Sequence, residues 1–155
     1  MASIVVLGAG IGGMSVAYEL RALLGKDHPV TVVGEGEQFS FTPSNPWVAV
    51  GWRKPKDIQI GVRPYLAKKD IGFEPAGAAE VLPAENKLRL RDGRDLPYDY
   101  LVVTTGPRLA FDEVPGLGPD GGFTQSVCTT AHALTAWEAY QEFLKAPGPI
   151  VIGAA

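Results

Sequence analysis

An α/β fold with a parallel sheet, helices and an added antiparallel strand layer is predicted by three observations. First, two uncharged runs rich in β-branched residues, "SIVVLG" and "PVTVV", flank an apolar helical pattern. That is the β-α-β arrangement, whose crossover sets the two strands parallel. Second, a glycine cluster, "GAGIGG" (8–13), joins the first strand to the helix. Third, "KLRLRDGRDLPYDY" carries Asp92-Gly93 between alternating runs, a hairpin signal.

The elements follow in order. The run ending at Leu7 lacks charge, as a strand buried on both faces requires. Met14, Val16, Ala17, Leu20, Leu23 and Leu24 recur at helical spacing, and Gly25 suits a C-terminal cap. "PVTVV" is the second strand. Residues 38–52, "QFSFTPSNPWVAVGW", carry no charge, and their prolines predict neither a regular helix nor a central strand. This segment packs against a cofactor, a partner or another domain, or is plain core. "VRPYLAKKD" is a short helix candidate, and "IGFEPAGAAEVLP" reads as strand. "DYLVVTTG" is a further buried strand ending in glycine. In "TTAHALTAWEAYQEFLKAPG", Thr129 or Thr130 caps a helix whose apolar stripe is Ala133, Leu134, Trp137, Tyr140 and Leu144.

Composition narrows the function. With 155 residues the chain buries a real core, and a net charge of −3 without a basic run argues against nucleic acid as a partner. One cysteine excludes a disulfide scaffold. The sequence shows no signal-peptide pattern and no run of about 18 apolar residues. No metal-ligand cluster stands out. The finish, "GPIVIGAA", has the pattern of a strand entering a glycine turn and predicts that these residues belong to a longer protein.

Gly8, Gly10 and Gly13 make G-x-G-x-x-G, with Gly12 inside it, after a strand and at the opening of a helix. Here Gly8 permits a tight turn, Gly10 lets backbone approach a pyrophosphate, and Gly13 lets helix and strand pack closely. The helix N-terminus attracts phosphate. The alternative is a glycine turn of purely structural use. The acid expected about 20 residues on, at the end of the second strand, is Glu35. It stands one place late, after Gly34. The order of later strands departs from a simple NAD domain and is similar to FAD domains of two-dinucleotide flavoproteins. Their second signature, a strand ending in Ala-Thr-Gly, is matched by Thr104-Thr105-Gly106, followed by Pro107.

"PSNPWVAVGW" (43–52), "YDYLVVTTGPRLAF" (98–111) and "QSVCTTAHA" (125–133) together make the chain resemble bacterial sulfide:quinone oxidoreductases over essentially its whole length. The resemblance implies a Rossmann-like FAD-binding domain over residues 1–148, in its N-terminal part. Residues 149–155 are then the first strand of a second, truncated dinucleotide-binding domain. It implies FAD as cofactor, sulfide and a quinone as substrates, and oxidation of sulfide to polysulfide or sulfur. It places Pro43 beside the flavin, main chain at Ala78 near the adenine, and Thr105, Gly106 and Pro107 near the flavin or its linker. Relatives that reduce disulfides carry a cysteine pair near Pro43; "TPSNPW" has no thiol.

Cys128 matches one of three family thiols, whose other two members lie further along, and His132 matches a histidine on the sulfide side. From the residues alone, Cys128 is equally readable as a small apolar side chain and His132 as a helix-surface residue. The family implies membrane association through a later segment, with the cytoplasmic side one option. These 155 residues alone are expected to be inactive, to hold FAD weakly or not at all, and to form a homodimer that covers apolar surface. Rival readings are a type II NADH:quinone reductase, the flavoprotein subunit of a sulfide dehydrogenase, and a cofactor-free interaction module.

Overall fold

The computed structural model describes residues 1–153. In chain order the elements are β1 (Ile4–Leu7), α1 (Ile11–Leu24), β2 (Val30–Val33), β3 (Gln38–Ser40), α2 (Asn45–Ala49), β4 (Gln59–Gly61), α3 (Arg63–Ala67), β5 (Gly72–Glu74), β6 (Ala78–Leu82), β7 (Lys87–Leu90), β8 (Asp95–Pro97), β9 (Tyr100–Val103) and α4 (Thr130–Phe143). Two compact units result. One comprises residues 1–40 and 59–108, the other residues 41–58 and 109–155.

The first unit is the expected α/β architecture. A parallel sheet runs in the order β5-β2-β1-β9. β1 is central: Ile4 pairs with Val30 on one side and Tyr100 on the other. Alternate residues of β1 serve two cores, as a pleated strand dictates. Ile4 and Val6 face Ala17, Val62 and Leu66, while Val5 and Leu7 face Leu88, Leu90 and Tyr98. The second core is supplied by the antiparallel layer β6-β7-β8, whose hairpin pairs Arg89 with Asp95 around the Asp92-Gly93 turn. β1 is thus covered on both faces, which is why its sequence tolerates no polar residue.

Several local expectations need correction. "IGFEPAGAAEVLP" is two strands in two sheets, β5 and β6, parted at Pro75 and by Gly77 with φ +73°. On α1, Leu23 is 78% exposed and lies outside the buried stripe, which Gly13 and Ala17 supply.

In the second unit, prolines do not prevent helix formation. Thr42–Ser44 form a 3₁₀ turn and Asn45–Ala49 a short α-helix, with Pro43 and Pro46 in the first turns. There the missing N–H would have had no intrahelical partner. Val48, Ala49 and Ile58 pack against Ala133 and Ala136 of α4. On α4, Leu134 is 40% exposed, and Ala136 takes its place in the core. Thr129 is the cap, its hydroxyl accepting from the His132 N–H at 3.1 Å. A Cβ on Gly51 would meet the Trp137 ring at 2.4 Å, so the glycine is the seat on which that ring rests. Arg53 lies 4.6 Å over Trp47. Ile150, Val151 and Ile152, expected in a strand, belong to none here and are exposed. Ala154 and Ala155, at the end of that expected strand, lie outside the described residues.

The start of the sheet is pinned by Asp99, whose carboxylate accepts from the Ser3 N–H at 2.6 Å and the Ser3 hydroxyl at 3.0 Å. These donors hold the Asp99 carboxyl below the usual carboxylate range, the backbone N–H contributing most. A depressed pKa means that the contribution is present at neutral pH and is lost as pH falls below about 4. Replacing Asp99 by Asn is expected to flatten this part of the acid-unfolding curve. Leu66 is fully buried, and Leu66→Ala should cost about 2–5 kcal/mol in chemical denaturation.

Candidate functional site

The C-terminal edge of the parallel sheet opens into a cavity of about 690 Å³, a size typical of small-molecule sites. Five pieces of chain wall it: the turn from β1 into α1, the end of β2, Gln38 and Ser40 of β3, the start of β6 and the end of β9. All five belong to the first unit.

The β1–α1 turn is an interlock. Gly8 has φ +117°, and a Cβ there would lie 2.5 Å from the Thr104 carbonyl oxygen. A Cβ on Gly13 would lie 1.8 Å from the Gly8 carbonyl oxygen. Thr104 completes it, its hydroxyl within hydrogen-bond reach of the carbonyls of Leu7 at 2.9 Å and Gly8 at 3.2 Å. Gly10, by contrast, has open space where a Cβ would sit. It is the N-cap of α1 and supplies no side-chain cap, and the first turn holds no acid. The opening N–H groups of α1 are therefore directed at the cavity without a side-chain acceptor, the arrangement that binds phosphate.

Glu35 reaches the cavity from the end of β2. Its late position has a steric cause. A Cβ on Gly34 would come within 2.7 Å of the Ala9 Cβ and 3.2 Å of the Phe73 ring. Glycine is required directly after β2, and the acid follows it. The Glu35 carboxylate accepts from Arg91 at 2.5 Å, and its backbone bridges Ala76. Glycine backbone, helix N-terminus and carboxylate fit the adenosine-pyrophosphate half of a dinucleotide.

Of the sequence-predicted residues, Gly8, Gly10, Gly12, Glu35, Ala78, Thr105 and Gly106 share this wall. Gly13 lies behind it as packing, and Pro107 is exposed and off the wall. Pro43, Cys128 and His132 are in the second unit. The exposed Cys128 precedes the α4 cap, its N–H donating to the Ser126 hydroxyl at 3.2 Å. The His132 ring lies 5.7 Å from the Phe111 ring, and its Nδ1 is buried without a hydrogen-bond partner. Cys128 is therefore not bonded to that nitrogen. Sequence reasoning missed the hydroxyl role of Thr104, although its departure from alanine was a signal. It also missed Arg91, which carried none.

The sequence pattern of the pyridine nucleotide-disulphide oxidoreductase family matches residues 2–154. The sulfide-quinone reductase of Aquifex aeolicus is 40% identical over 97% of this chain and 34% of its own length. A mitochondrial sulfide:quinone oxidoreductase of Dictyostelium discoideum is 32% identical over 96% of this chain and 33% of its own. The X-ray structure of the Aquifex aeolicus sulfide:quinone oxidoreductase superposes with a TM-score of 0.86 at 38% identity, covering 96% of this chain and 34% of that one. The chain spans about a third of the length of these relatives.

The two inner glycines are expected to fail differently. Gly13→Ala should lower thermal stability, because its methyl group has nowhere to go. Gly10→Ala should melt close to the wild type, because no other atom lies within 4 Å of the added methyl, yet lose about tenfold or more in dinucleotide affinity by titration where a pyrophosphate must approach the backbone.

Proposed function

Since the chain belongs to the pyridine nucleotide-disulphide oxidoreductase family, we propose that it is the FAD-binding part of a sulfide:quinone oxidoreductase. The observation that carries this reading is 40% identity to a sulfide-quinone reductase over 97% of the chain. The cavity supports it independently, since its wall suits a dinucleotide.

In this reading residues 1–148 are the N-terminal part of the FAD domain, and residues from 149 onward begin a second dinucleotide-binding domain. When bound, the flavin supplies the electron-accepting chemistry that links sulfide to a quinone. The chain's own residues do the rest. Opening amides of α1 at Gly10 to Gly12 hold the pyrophosphate, and Glu35 receives ribose hydroxyls. Main chain at Ala78 borders the adenine. Thr105, Gly106 and Pro107 lie toward the flavin, and Pro43 packs beside its ring.

Cys128 is an auxiliary thiol, a nucleophile toward sulfur in its thiolate form. It is exposed, as that task requires. His132 carries protons for the sulfide side. The segment around Pro43 holds no thiol, so reduction of a disulfide by a cysteine pair at that place does not fit. No helix among the described residues is long and apolar enough to cross a membrane. Quinone and membrane contact belong to parts of the protein beyond these residues.

The test is spectroscopic and kinetic. The full-length protein that contains these residues should carry flavin absorbance and reduce a soluble quinone analogue when given sulfide. Cys128→Ser should keep the flavin and slow sulfide-dependent turnover. Flavin with NADH-dependent but no sulfide-dependent quinone reduction would identify an NADH:quinone reductase instead. Absence of any FAD binding by that full-length protein would remove the flavoprotein reading.

A further inference from the structure

We propose that Arg91 is the positioning residue for ribose recognition at this cavity, holding the Glu35 carboxylate by one oxygen and leaving the other for a nucleotide hydroxyl. The proposal rests on the reading that a dinucleotide occupies the cavity.

Glu35 lies on the cavity wall, but two residues beyond the strand end at Val33, where steric demands at Gly34 have displaced it. Its side chain is 67% exposed. A flexible carboxylate in water offers no fixed acceptor, and ordering it must be offset by something. Arg91 provides the anchor, donating from Nη2 to Glu35 Oε1 at 2.5 Å. The guanidinium is itself held from the other wall. Its Nε donates to the Ala78 carbonyl at 3.3 Å, and the Arg91 backbone N–H donates to the Gly77 carbonyl at 3.1 Å. The carboxylate carried by the β2 end is therefore referenced to the β6–β7 layer.

Gly77 makes the crossing possible. With φ +73°, its missing Cβ would lie 3.2 Å from Glu35 Cγ and 3.6 Å from Arg91 Cδ. Arg91 is not on the cavity wall, so it reaches a ligand only through Glu35. The pair also balances charge. An unpaired carboxylate beside a pyrophosphate site repels the anion, and a guanidinium bonded to it cancels much of that field. A carboxylate that must stay near phosphate to read a ribose thus needs a cation that does not itself take the phosphate.

The experiment is calorimetric titration of the protein with ADP and with its 2′-deoxy and 3′-deoxy analogues. The wild type should prefer ADP over at least one analogue by about tenfold, the value of a hydrogen bond to a charged acceptor. Glu35→Ala should abolish that preference. Arg91→Gln should reduce it to about threefold or less, and Arg91→Lys should restore part of it. A merely structural role would weaken ADP and analogue equally and leave the ratio unchanged; an unchanged ratio in Arg91→Gln overturns the proposal. A wild type that binds all three nucleotides equally leaves the dinucleotide reading standing and overturns the role. A wild type that binds none removes both.

Discussion

Everything at the cavity depends on one steric constraint: the Gly8 carbonyl oxygen occupies the space in which a Gly13 side chain would begin, 1.8 Å from the ideal Cβ position. That approach brings α1 against β1 closely enough for its first turn to open at the sheet edge. Thr104 closes the third side from β9, with its hydroxyl at the Leu7 and Gly8 carbonyls and its own backbone N–H donating to Leu7 at 2.7 Å. The consecutive β1 and α1 and the sequence-distant β9 are therefore fixed at one point, and the cavity opens where they converge. The arrangement uses backbone rather than side chains, which suits recognition of a polyanion whose charge is spread over many oxygens.

The fold of the first unit was legible because its signals are local. Uncharged runs, the glycine turn and the Asp92-Gly93 hairpin each express a constraint between neighbours, and the parallel order follows from crossover handedness. The glycine wall of the site was legible for the same reason. Side-chain partners were not. Glu35 and Arg91 are 56 residues apart, and nothing in either neighbourhood announces the other. The reason Gly34 precedes the acid is likewise tertiary, since it lies in Ala9 and the Phe73 ring.

The errors have physical causes as well. Proline breaks a helix only in its interior, and Pro43 and Pro46 of residues 38–52 occupy first-turn positions, where proline costs no intrahelical bond. The expected stripe on α4 holds Ala133 and four larger residues. Ala133 does pack against α2, but its companion there is Ala136 and not Leu134. Small residues let two helices approach, and a search for bulk overlooks Ala136. The uncharged character of residues 38–52 is explained in part by this packing, through Val48 and Ala49.

The seat of Trp137 on Gly51 has a further meaning when placed beside Trp47 and Trp52. These three are all the tryptophans of the chain, and all belong to the second unit. Indole emission therefore reports on the second unit alone and is silent about the α/β unit that contains the cavity. A melt followed by circular dichroism would watch both units, through α1 in the first and α4 in the second, whereas a fluorescence melt would watch the second alone. Any divergence between the two curves would measure how far the units unfold independently, without a label or a substitution.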